Sequence, residues 1–579
     1  MSGGRSRREF LALAAGAVAA SARARLAAAR GSSEPARTAP ALGRSSLFSG
    51  APAPDDALEL LYSRRLSFDG AQPLITVRVT EGRTKVVLRP LGPLAVRARG
   101  PQGGSRVAVS AGGRGAWTVR LLEGRPGVGA AWVELEQLAW ADKAELARAR
   151  AEWEARGVKV RVATVGDVYG IAGHVVDTRR YALLADGDAT EAGARAQAKD
   201  LVQRYGVRPQ LHRELAARPA GRLALYDPRG RLRAEGHGAL ELRAPGGIAV
   251  EDVEYGMGYA FHGFERRTYP ARLFACVDAG GMLALVAALP MERLVKGVVP
   301  SEIFARAHPE ALKAQAVTAR GEVLAKVGAR HLGDPYLLCP EQHCQVYKGV
   351  SAEERSTDAA VDATRGEALF RAEAGGPSRL VDSVYSAVCG GYTEDNDVVW
   401  GTPPDPSLRG RPDFDPRAPE MAPFAEGVGE ALVGRFVRTR VPSYCELSGM
   451  ASANKVRWTR SFTAAEVDAL CAGLEVGQVR ALDVLGRGIS GRARGLQVTG
   501  ERGTARIFGE LSIRRHFRNL NSGMFVVERQ GDGWLFTGGG WGHGSGMCQL
   551  GAIGRAQRGA GYREILGWYY SGAAPERVY

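Results

Sequence analysis

The sequence predicts an α+β protein with a β-rich N-terminal region, a small α/β insert and a C-terminal region of short strands with a few helices. From about residue 73, LITVRVTEGRTKVVLRPLGPLAVRARG alternates apolar and polar residues around glycine-bearing turns, which is typical of strands. Two helix-like runs enclose a hairpin pattern between residues 137 and 218. A strong helical pattern over 309–327 begins at Pro309 and Glu310, since proline suits the first turn of a helix.

The composition is that of a basic globular protein. The chain has 579 residues, 45% of them hydrophobic, and a formal net charge of +15. That length allows roughly three or four domains, and the charge suggests a polyanionic surrounding such as nucleic acid, anionic lipid or an acidic cell-wall polymer. The basic residues are scattered and no recognition-helix, RNP-type or finger motif is found, so nucleic-acid binding is not predicted.

The N-terminus predicts export. Paired arginines in SRREFL (6–11) precede an alanine-rich apolar stretch and small residues, which is the layout of a twin-arginine-type signal peptide over residues 1–30. The stretch is shorter than the ~20 apolar residues of a membrane span, so no transmembrane span is expected after signal removal. The Pro-, Ser- and Gly-rich residues 31–56 predict a disordered linker. We expect the mature protein in the periplasm or at the cell wall or cell surface.

The middle of the chain divides at two changes of pattern. Residues 57–136 are predicted to be β-rich. Residues 137–218 place a hairpin pattern between the helix-like runs DKAELARARAEWEARG and ATEAGARAQAKDLVQRYG. This order resembles the SPOR-type module, which binds peptide-free glycan strands of peptidoglycan, although an ordinary α/β insert would show the same order. Residues 219–579 form the remaining region.

Glu302 is the first candidate for chemistry. It follows the apolar run Val298-Val299-Pro300 and precedes the predicted helix. A carboxylate at the end of a strand and next to apolar residues has its pKa raised by desolvation and can serve as a general acid. The alternative is a solvated or capping glutamate.

Four segments together carry a family resemblance. They are VVPSEIF with PEALKAQAVTAR, YSAVCGGYTEDNDVVWG, SGRARGLQVTGERGTARIFGELSIRRHF, and the glycine-rich GGGWGHGSGMCQLGA. In this order, over roughly 270–579, they resemble the motifs of the SpoIID/LytB family. The resemblance implies a SpoIID-like catalytic region over 219–579, with core motifs over 293–579. A departure is Gly321, which stands where the family helix usually carries an aromatic residue.

The resemblance implies a peptidoglycan lytic transglycosylase that cleaves MurNAc–GlcNAc bonds, with Glu302 as the catalytic acid and peptide-poor glycan as substrate. In such a reaction the 6-hydroxyl of the sugar attacks its own anomeric carbon and leaves a 1,6-anhydro end, so one glutamate can act as acid and then as base. Other family members are described as amidase enhancers. The alternative is therefore a non-catalytic, glycan-binding enhancer of a cell-wall amidase.

Two histidines and two cysteines lie close together in HLGDPYLLCPEQHCQVYKG: His331, Cys339, His343 and Cys344. Thiolate and imidazole ligands suit tetrahedral zinc, but the residues alone equally allow a Cys339–Cys344 disulfide with bystander histidines. Some family members carry a zinc here on two histidines and two cysteines, so the resemblance implies a structural zinc.

Further side chains are candidates for substrate binding. In the family the closing glycine-rich motif and the YSAVCGGYTED motif are expected to line the glycan cleft, and Trp541 offers a flat face for a sugar ring. His543 could bind substrate or orient Glu302, or be a satisfied core residue. The other candidates are Lys313, Gln315, Tyr385 and Tyr392. Cys389, Cys445, Cys471 and Cys548 have no predicted pairing: a Cys389–Cys548 disulfide and buried thiols both remain open.

Overall fold

The computed structural model describes residues 56–62, 66–112, 114–206, 210–257, 261–270, 272–373 and 378–579. The predicted signal peptide and all but the last residue of the predicted linker lie outside the described residues. In the described part, no helix is both long and apolar enough to cross a membrane. This part is about 27% helical and 38% strand, which confirms the α+β prediction.

Strands dominate the first half of the fold. The first elements are α1 (Ala57–Tyr62), β1 (Ser67–Asp69), β2 (Gln72–Arg83), β3 (Lys85–Pro90), β4 (Leu94–Arg99), β5 (Ser105–Ala111), β6 (Trp117–Arg125) and β7 (Val128–Ala139), of which β7 opens the insert. The insert continues with α2 (Lys143–Ala155), β8 (Val160–Val165), β9 (Val168–Ile171), β10 (His174–Asp177), β11 (Arg180–Ala185), α3 (Glu191–Tyr205) and β12 (Gln210–Ala217). After it come β13 (Ala220–Tyr226), β14 (Leu232–His237), β15 (Ala239–Arg243), β16 (Ile248–Tyr255), β17 (Gly263–Tyr269), β18 (Arg272–Val277) and β19 (Leu283–Pro290).

The second half alternates helices with short strands. It begins with α4 (Met291–Glu302), α5 (Pro309–Lys326), α6 (Arg355–Ala363), β20 (Glu367–Arg371), β21 (Arg379–Leu380), β22 (Tyr385–Ser386), α7 (Asn396–Trp400), α8 (Gly429–Arg438), α9 (Tyr444–Leu447) and α10 (Ala453–Val456). It ends with β23 (Arg457–Phe462), α11 (Ala464–Cys471), β24 (Val479–Val484), β25 (Gly495–Gly500), β26 (Gly503–Phe508), α12 (Glu510–His516), β27 (Phe525–Gln530), β28 (Gly533–Gly539), β29 (Met547–Cys548), α13 (Gln549–Ala556), α14 (Tyr562–Tyr569) and β30 (Ala573–Arg577).

Two antiparallel sheets and the helices behind them share one hydrophobic core. The sheets have the strand orders β1-β2-β19-β18-β15-β4-β5 and β14-β13-β6-β3-β16-β17. Apolar residues of both sheets, of α4 and α5 and of the C-terminal helices α13 and α14 belong to the same buried cluster. The N-terminal half is therefore packed directly against the elements that carry the SpoIID-like motifs.

The insert is a four-stranded sheet of order β12-β7-β11-β8 with two helices, the split βαβ arrangement that two interleaved βαβ units produce. Its first strand is β7, so the sheet begins at Val128, before the predicted boundary at residue 137. The β9–β10 hairpin leaves this sheet and packs on the main core, where the Tyr169 hydroxyl donates to the carbonyl of Leu324 at 2.6 Å. The insert thereby contacts the C-terminal end of α5.

Helix α5 confirms the helix predicted over 309–327, ending at Lys326. Pro309 occupies its first turn and the preceding His308 accepts a hydrogen bond from the Glu310 N–H. The fully buried Arg320 of α5 makes a bidentate ion pair with Glu292 of α4, with N–O distances of 2.8 and 2.7 Å. Such a pair fixes the relative orientation of two helices because its geometry is planar.

Glu302 ends a helix and not a strand, which corrects the sequence interpretation. Strand β19 stops at Pro290, and the chain then turns into α4. The reason lies in the apolar spacing: Leu294 and Val295 recur as Val298 and Val299, four residues apart, which is the spacing of one helix face.

Candidate active site

Glu302 is held at the C-terminal end of α4, in a half-buried position. Its Oε1 accepts a hydrogen bond from the backbone N–H of Val346 at 2.6 Å. Among the described residues, no hydrogen bond holds Oε2. One carboxylate oxygen is thus fixed and the second is left for a ligand.

Desolvation raises the pKa of Glu302 to about 7. The Val346 N–H opposes this shift, the negative charge of Glu322 adds to it, and Lys326 and Lys348 oppose it. A carboxyl group that titrates near neutral pH can both give and take a proton under physiological conditions.

The neighbouring carboxylate, Glu322, is already paired. It lies on α5 and forms a buried ion pair with Lys326, one helical turn later. The Lys326 ammonium also donates to the carbonyl of Cys344 at 2.7 Å. Sequence analysis missed this pair, although the spacing of Glu322 and Lys326 on a predicted helix could have indicated it.

A network of side-chain amides surrounds Glu302. The Gln549 Nε2 donates to the carbonyl oxygen of Glu302 and to Oε1 of Gln315, both at 3.1 Å. The Tyr385 hydroxyl donates to Oε1 of Gln345 at 3.1 Å, and Gln345 itself is held by α5. The structure therefore brings Gln315 and Tyr385 together near Glu302 and adds two glutamines that sequence analysis missed.

One of these amides has an unused donor. Gln315 is fully buried, and its Nε2 has no hydrogen-bond partner among the described residues. An unpaired buried donor is costly, so its position beside the network marks Gln315 as a candidate for contact with substrate.

His543 has both ring nitrogens engaged by the backbone. Its Nε2 lies 2.8 Å from the carbonyl of Tyr385, and its Nδ1 lies 3.1 Å from the N–H of Ser545. These partners require the neutral tautomer protonated on Nε2, and burial lowers the pKa of His543 to about 3. His543 therefore links the closing motif to β22 and is not hydrogen-bonded to Glu302.

The glycine-rich motif is shaped by close backbone contacts. β29 within it pairs in parallel with β22, placing Met547 beside Tyr385. Gly544 and Gly546 have positive φ angles of 81° and 67°, which glycine adopts without strain. A Cβ at Gly544 would overlap the guanidinium of the buried Arg492. These glycines bring the motif against β22, which carries Tyr385.

Three predicted substrate residues lie apart from the Glu302 network. Lys313 pairs with Glu310 at 2.6 Å. Tyr392 is buried in a separate core cluster, and its hydroxyl donates to a backbone carbonyl at 3.3 Å. Trp541 is half-buried, with the Lys455 ammonium 5.4 Å from its ring centroid.

The four predicted metal ligands lie together. The ligand atoms of His331, Cys339, His343 and Cys344 are all within 4.8 Å of one another. The His331 Nε2 is 3.3 Å from the Cys344 Sγ, and the His343 Nδ1 is 3.6 Å from each sulfur. Ligands at normal zinc bond lengths stand ~3.6 Å apart in a tetrahedron, so the donor set and spacing fit zinc.

The cluster also has an outer partner and a position next to Glu302. Asp334 Oδ2 lies 2.9 Å from the His331 Nδ1, the arrangement that orients a metal-bound imidazole. Cys339 and Cys344 are free thiols in the structure. Val346, two residues after Cys344, supplies the N–H that donates to the Glu302 carboxylate. A fixed conformation of this segment therefore fixes the position of the carboxylate.

Comparisons with known proteins match the part of the chain that contains Glu302. A family model for SpoIID, described as stage II sporulation protein, matches residues 279–370, which include Glu302 and all four candidate zinc ligands. This match and the relatives named below support the assignment of the chain to the SpoIID/LytB family. A second model, described as a domain of unknown function, matches residues 394–546.

Named relatives match this chain over about half its length. An uncharacterized protein of Brachyspira hyodysenteriae is 29% identical over 329 residues, covering 56% of this chain and 75% of that protein. Stage II sporulation protein D of Bacillus subtilis is 29% identical over 303 residues, covering 49% and 74%. An amidase enhancer of the same organism is 25% identical over 294 residues, covering 48% of this chain and 39% of that protein. These relatives support a cell-wall-related role.

Proposed function

We propose that this protein is an exported lytic transglycosylase that cleaves MurNAc–GlcNAc bonds of peptide-poor peptidoglycan, with Glu302 as general acid and base. The observation that carries the proposal is the state of this one carboxyl group. Its pKa is about 7, one oxygen is held by Val346 and the other is not hydrogen-bonded in the described part of the chain.

Glu302 alone can carry out both proton transfers of the proposed reaction. Protonated Glu302 gives its proton to the glycosidic oxygen as the bond to the anomeric carbon breaks. The carboxylate then takes the proton of the sugar's 6-hydroxyl as that oxygen attacks the anomeric carbon. The 1,6-anhydro ring forms, Glu302 is again protonated, and no water is consumed.

The surroundings of Glu302 favour this scheme over one with two carboxylates. Most glycosidases need a second carboxylate as base or nucleophile. The carboxylate that acts on Glu302 electrostatically is Glu322, which is committed to its buried pair with Lys326. Withdrawing Glu322 from that pair would leave a buried ammonium uncompensated.

Other side chains have supporting roles in the proposal. Gln315, with its unused donor, and Tyr385 contact sugar hydroxyls, while Trp541 provides a stacking face. Lys313 and Tyr392 lie outside the network, so we assign neither of them a contact with the reacting sugars. His543 positions β22 by holding the Tyr385 carbonyl.

Zinc is proposed as a structural cofactor. His331, Cys339, His343 and Cys344 would hold it, and four protein ligands leave no position for a reacting water. The ion would supply folding free energy to the segment that carries the Val346 N–H, while the acid–base chemistry stays with Glu302.

The insert is proposed to bind glycan as SPOR-type modules do. Its βαββαβ order and its contact with Leu324 near the end of α5 support this proposal. An isothermal titration of the protein with peptide-free glycan strands tests this, with a chain lacking Val128–Ala217 for comparison. Equal affinity of both chains would refute a binding role for the insert.

The decisive experiment for the activity identifies the products. The mature protein, alone, is incubated with peptide-free glycan strands, and the fragments are analysed by mass spectrometry. We expect anhydro-ended fragments; fragments with ordinary reducing ends would mean that water is the nucleophile and would refute the transglycosylase step.

A second candidate function is a glycan-binding enhancer of a cell-wall amidase. The observation in its favour is the 25% identity to a protein named amidase enhancer. A chain with this function would bind glycan without cleaving it and would raise the rate of an added cell-wall amidase. An amidase rate that is unchanged by the protein would refute it.

A further inference from the structure

A second group of metal-ligand side chains lies away from Glu302. Cys389 follows β22, Asp413 lies in the loop after α7, Cys445 is on α9, and Cys548 ends β29. All four are fully buried, and their ligand atoms lie within 4.8 Å of one another. The chain brings them together across 160 positions of sequence, from 389 to 548.

The distances suit one small ion. The Cys389 Sγ is 4.0 Å from the Cys445 Sγ and 3.2 Å from the Asp413 Oδ2. In tetrahedral zinc sites, normal bond lengths place two sulfurs ~3.8 Å apart and a sulfur ~3.5 Å from a carboxylate oxygen. A shift of a few tenths of an ångström would bring these atoms to ligand spacing.

Backbone N–H groups point at the sulfurs. The Cys389 and Gly551 N–H groups donate to the Cys548 Sγ at 3.2 and 3.3 Å. The Gly391 N–H donates to the Cys389 Sγ at 3.4 Å. Backbone N–H groups in such positions commonly act as outer hydrogen-bond donors to metal-bound ligands.

The two oxygens of the Asp413 carboxylate have different partners. Asp413 Oδ1 accepts from the Tyr569 hydroxyl at 2.8 Å and from Arg555 Nη2 at 3.1 Å. Only Oδ2 faces the cysteine cluster, through its contact with Cys389. A ligating carboxylate is typically oriented in this way by outer hydrogen bonds.

We propose that Cys389, Asp413, Cys445 and Cys548 form a second zinc site with a structural role. Three thiolates and one carboxylate oxygen are zinc ligands, and complete burial with four protein ligands leaves no position for a reactive water. A disulfide between two of the cysteines would remove two of the thiolate ligands, so the disulfide and the zinc site exclude each other. The ion would tie β22, α9 and the start of α13 together. It is independent of the proposed glycan chemistry.

The test is a metal count on purified full-length protein, by inductively coupled plasma mass spectrometry. We expect Cys445→Ser to hold one zinc fewer than the wild type. Cys276→Ala, which changes a buried cysteine of β18 outside both clusters, should hold the same number as the wild type. Cys344→Ser should lose the zinc of the first cluster and keep the second ion.

The opposite outcomes are equally clear. An unchanged zinc count in Cys445→Ser would overturn the proposal, as would a zinc-free Cys344→Ser protein. If Cys445→Ser does not fold, X-ray absorption at the zinc edge of the wild type tests the proposal. We expect five sulfur ligands in total, two on the ion of the first cluster and three on the ion of the second. Mass analysis after alkylation of the denatured, chelated chain should show seven free thiols, and a disulfide among these three cysteines would also refute the site.

Discussion

Replacing Glu302 by glutamine removes one proton and leaves the shape of the side chain. The glutamine oxygen can still accept the hydrogen bond of the Val346 N–H, which is 2.6 Å from Oε1 in the structure. The substituted side chain can neither give a proton to a glycosidic oxygen nor take one from a hydroxyl. The change therefore separates acid–base chemistry from the architecture of the site.

The magnitude follows from two physical effects. Loss of a general acid lowers the rate by ~10²- to 10⁴-fold. The pKa of Glu302 is raised from 4.5 to about 7, so the ionised carboxylate destabilises the fold. The stability that protonated Glu302 contributes to the fold is fully present below pH 4.5 and is lost as the pH rises through 7. Each pKa unit corresponds to ~1.4 kcal/mol of folding free energy, and the total is reduced because the Glu302 side chain is partly exposed. The substitution should therefore raise the free energy of unfolding by about 2 kcal/mol at pH 8.

Two assays measure these effects. The first is release of anhydro-ended fragments from peptide-free glycan as a function of pH, where the wild-type rate should decline above pH 7 as Glu302 loses its proton. The second is urea denaturation at pH 4 and pH 8. Glu353→Gln is the matched control, because burial also raises the pKa of Glu353 to about 7, but this side chain pairs with Arg293 at 3.0 Å.

The reasoning has two points of failure. Activity of Glu302→Gln within tenfold of the wild type would show that Glu302 is not the acid. A stability gain of the same size at pH 4 and pH 8 would show that ionisation of this carboxyl is not what destabilises the fold. Loss of activity in Glu353→Gln as well would mean that replacing any glutamate with a raised pKa lowers the activity. The position of Glu302 would then no longer support its role as the acid.

Three further predictions concern the candidate zinc ligands, the glycines Gly546 and Gly559, and His543. Asp334→Asn should weaken zinc binding by ~10- to 100-fold in a chelator competition, since it loosens the orientation of His331; unchanged affinity would contradict this. Gly559→Ala, at φ 92° in open space, should lower the free energy of unfolding by ~1–2 kcal/mol. Gly546→Ala, whose Cβ would also overlap a backbone carbonyl, should cost over ~3 kcal/mol, and equal costs would refute the close approach. His543→Gln should flatten the loss of stability below pH 6.5, because the folded histidine with a pKa of about 3 cannot take the proton that the unfolded chain binds; an unchanged slope in acid denaturation would contradict this.

Local patterns allowed part of this protein to be predicted. Helix α5 follows from Pro309 in its first turn and an alanine-rich stretch, both of which act within a few residues. The ligands His331 to Cys344 lie within fourteen positions, so their grouping needs only a local loop. The resemblance to a known family was enough, without the structure, to indicate Glu302 as the candidate catalytic acid.

Other features required the folded chain. Tyr392 belongs to a motif predicted to line the cleft, yet its ring is buried in a core with residues of α8. Gly321 in α5 departs from the family pattern, and the structure shows why a side chain is excluded there: its Cβ would overlap the hydroxyl of Ser383. Neither contact leaves a periodic signal in the sequence.

The sequence by itself indicated the family resemblance, the main helix, a candidate catalytic carboxylate and a cluster of candidate metal ligands, because these depend on residue type and on spacing within a few turns. Only the tertiary structure decided the raised pKa of Glu302, the neutral state of His543 and the grouping of Cys389, Asp413, Cys445 and Cys548. Desolvation and ligand geometry depend on which distant segments pack together, and the parallel pairing of β22 with β29 is one such long-range contact.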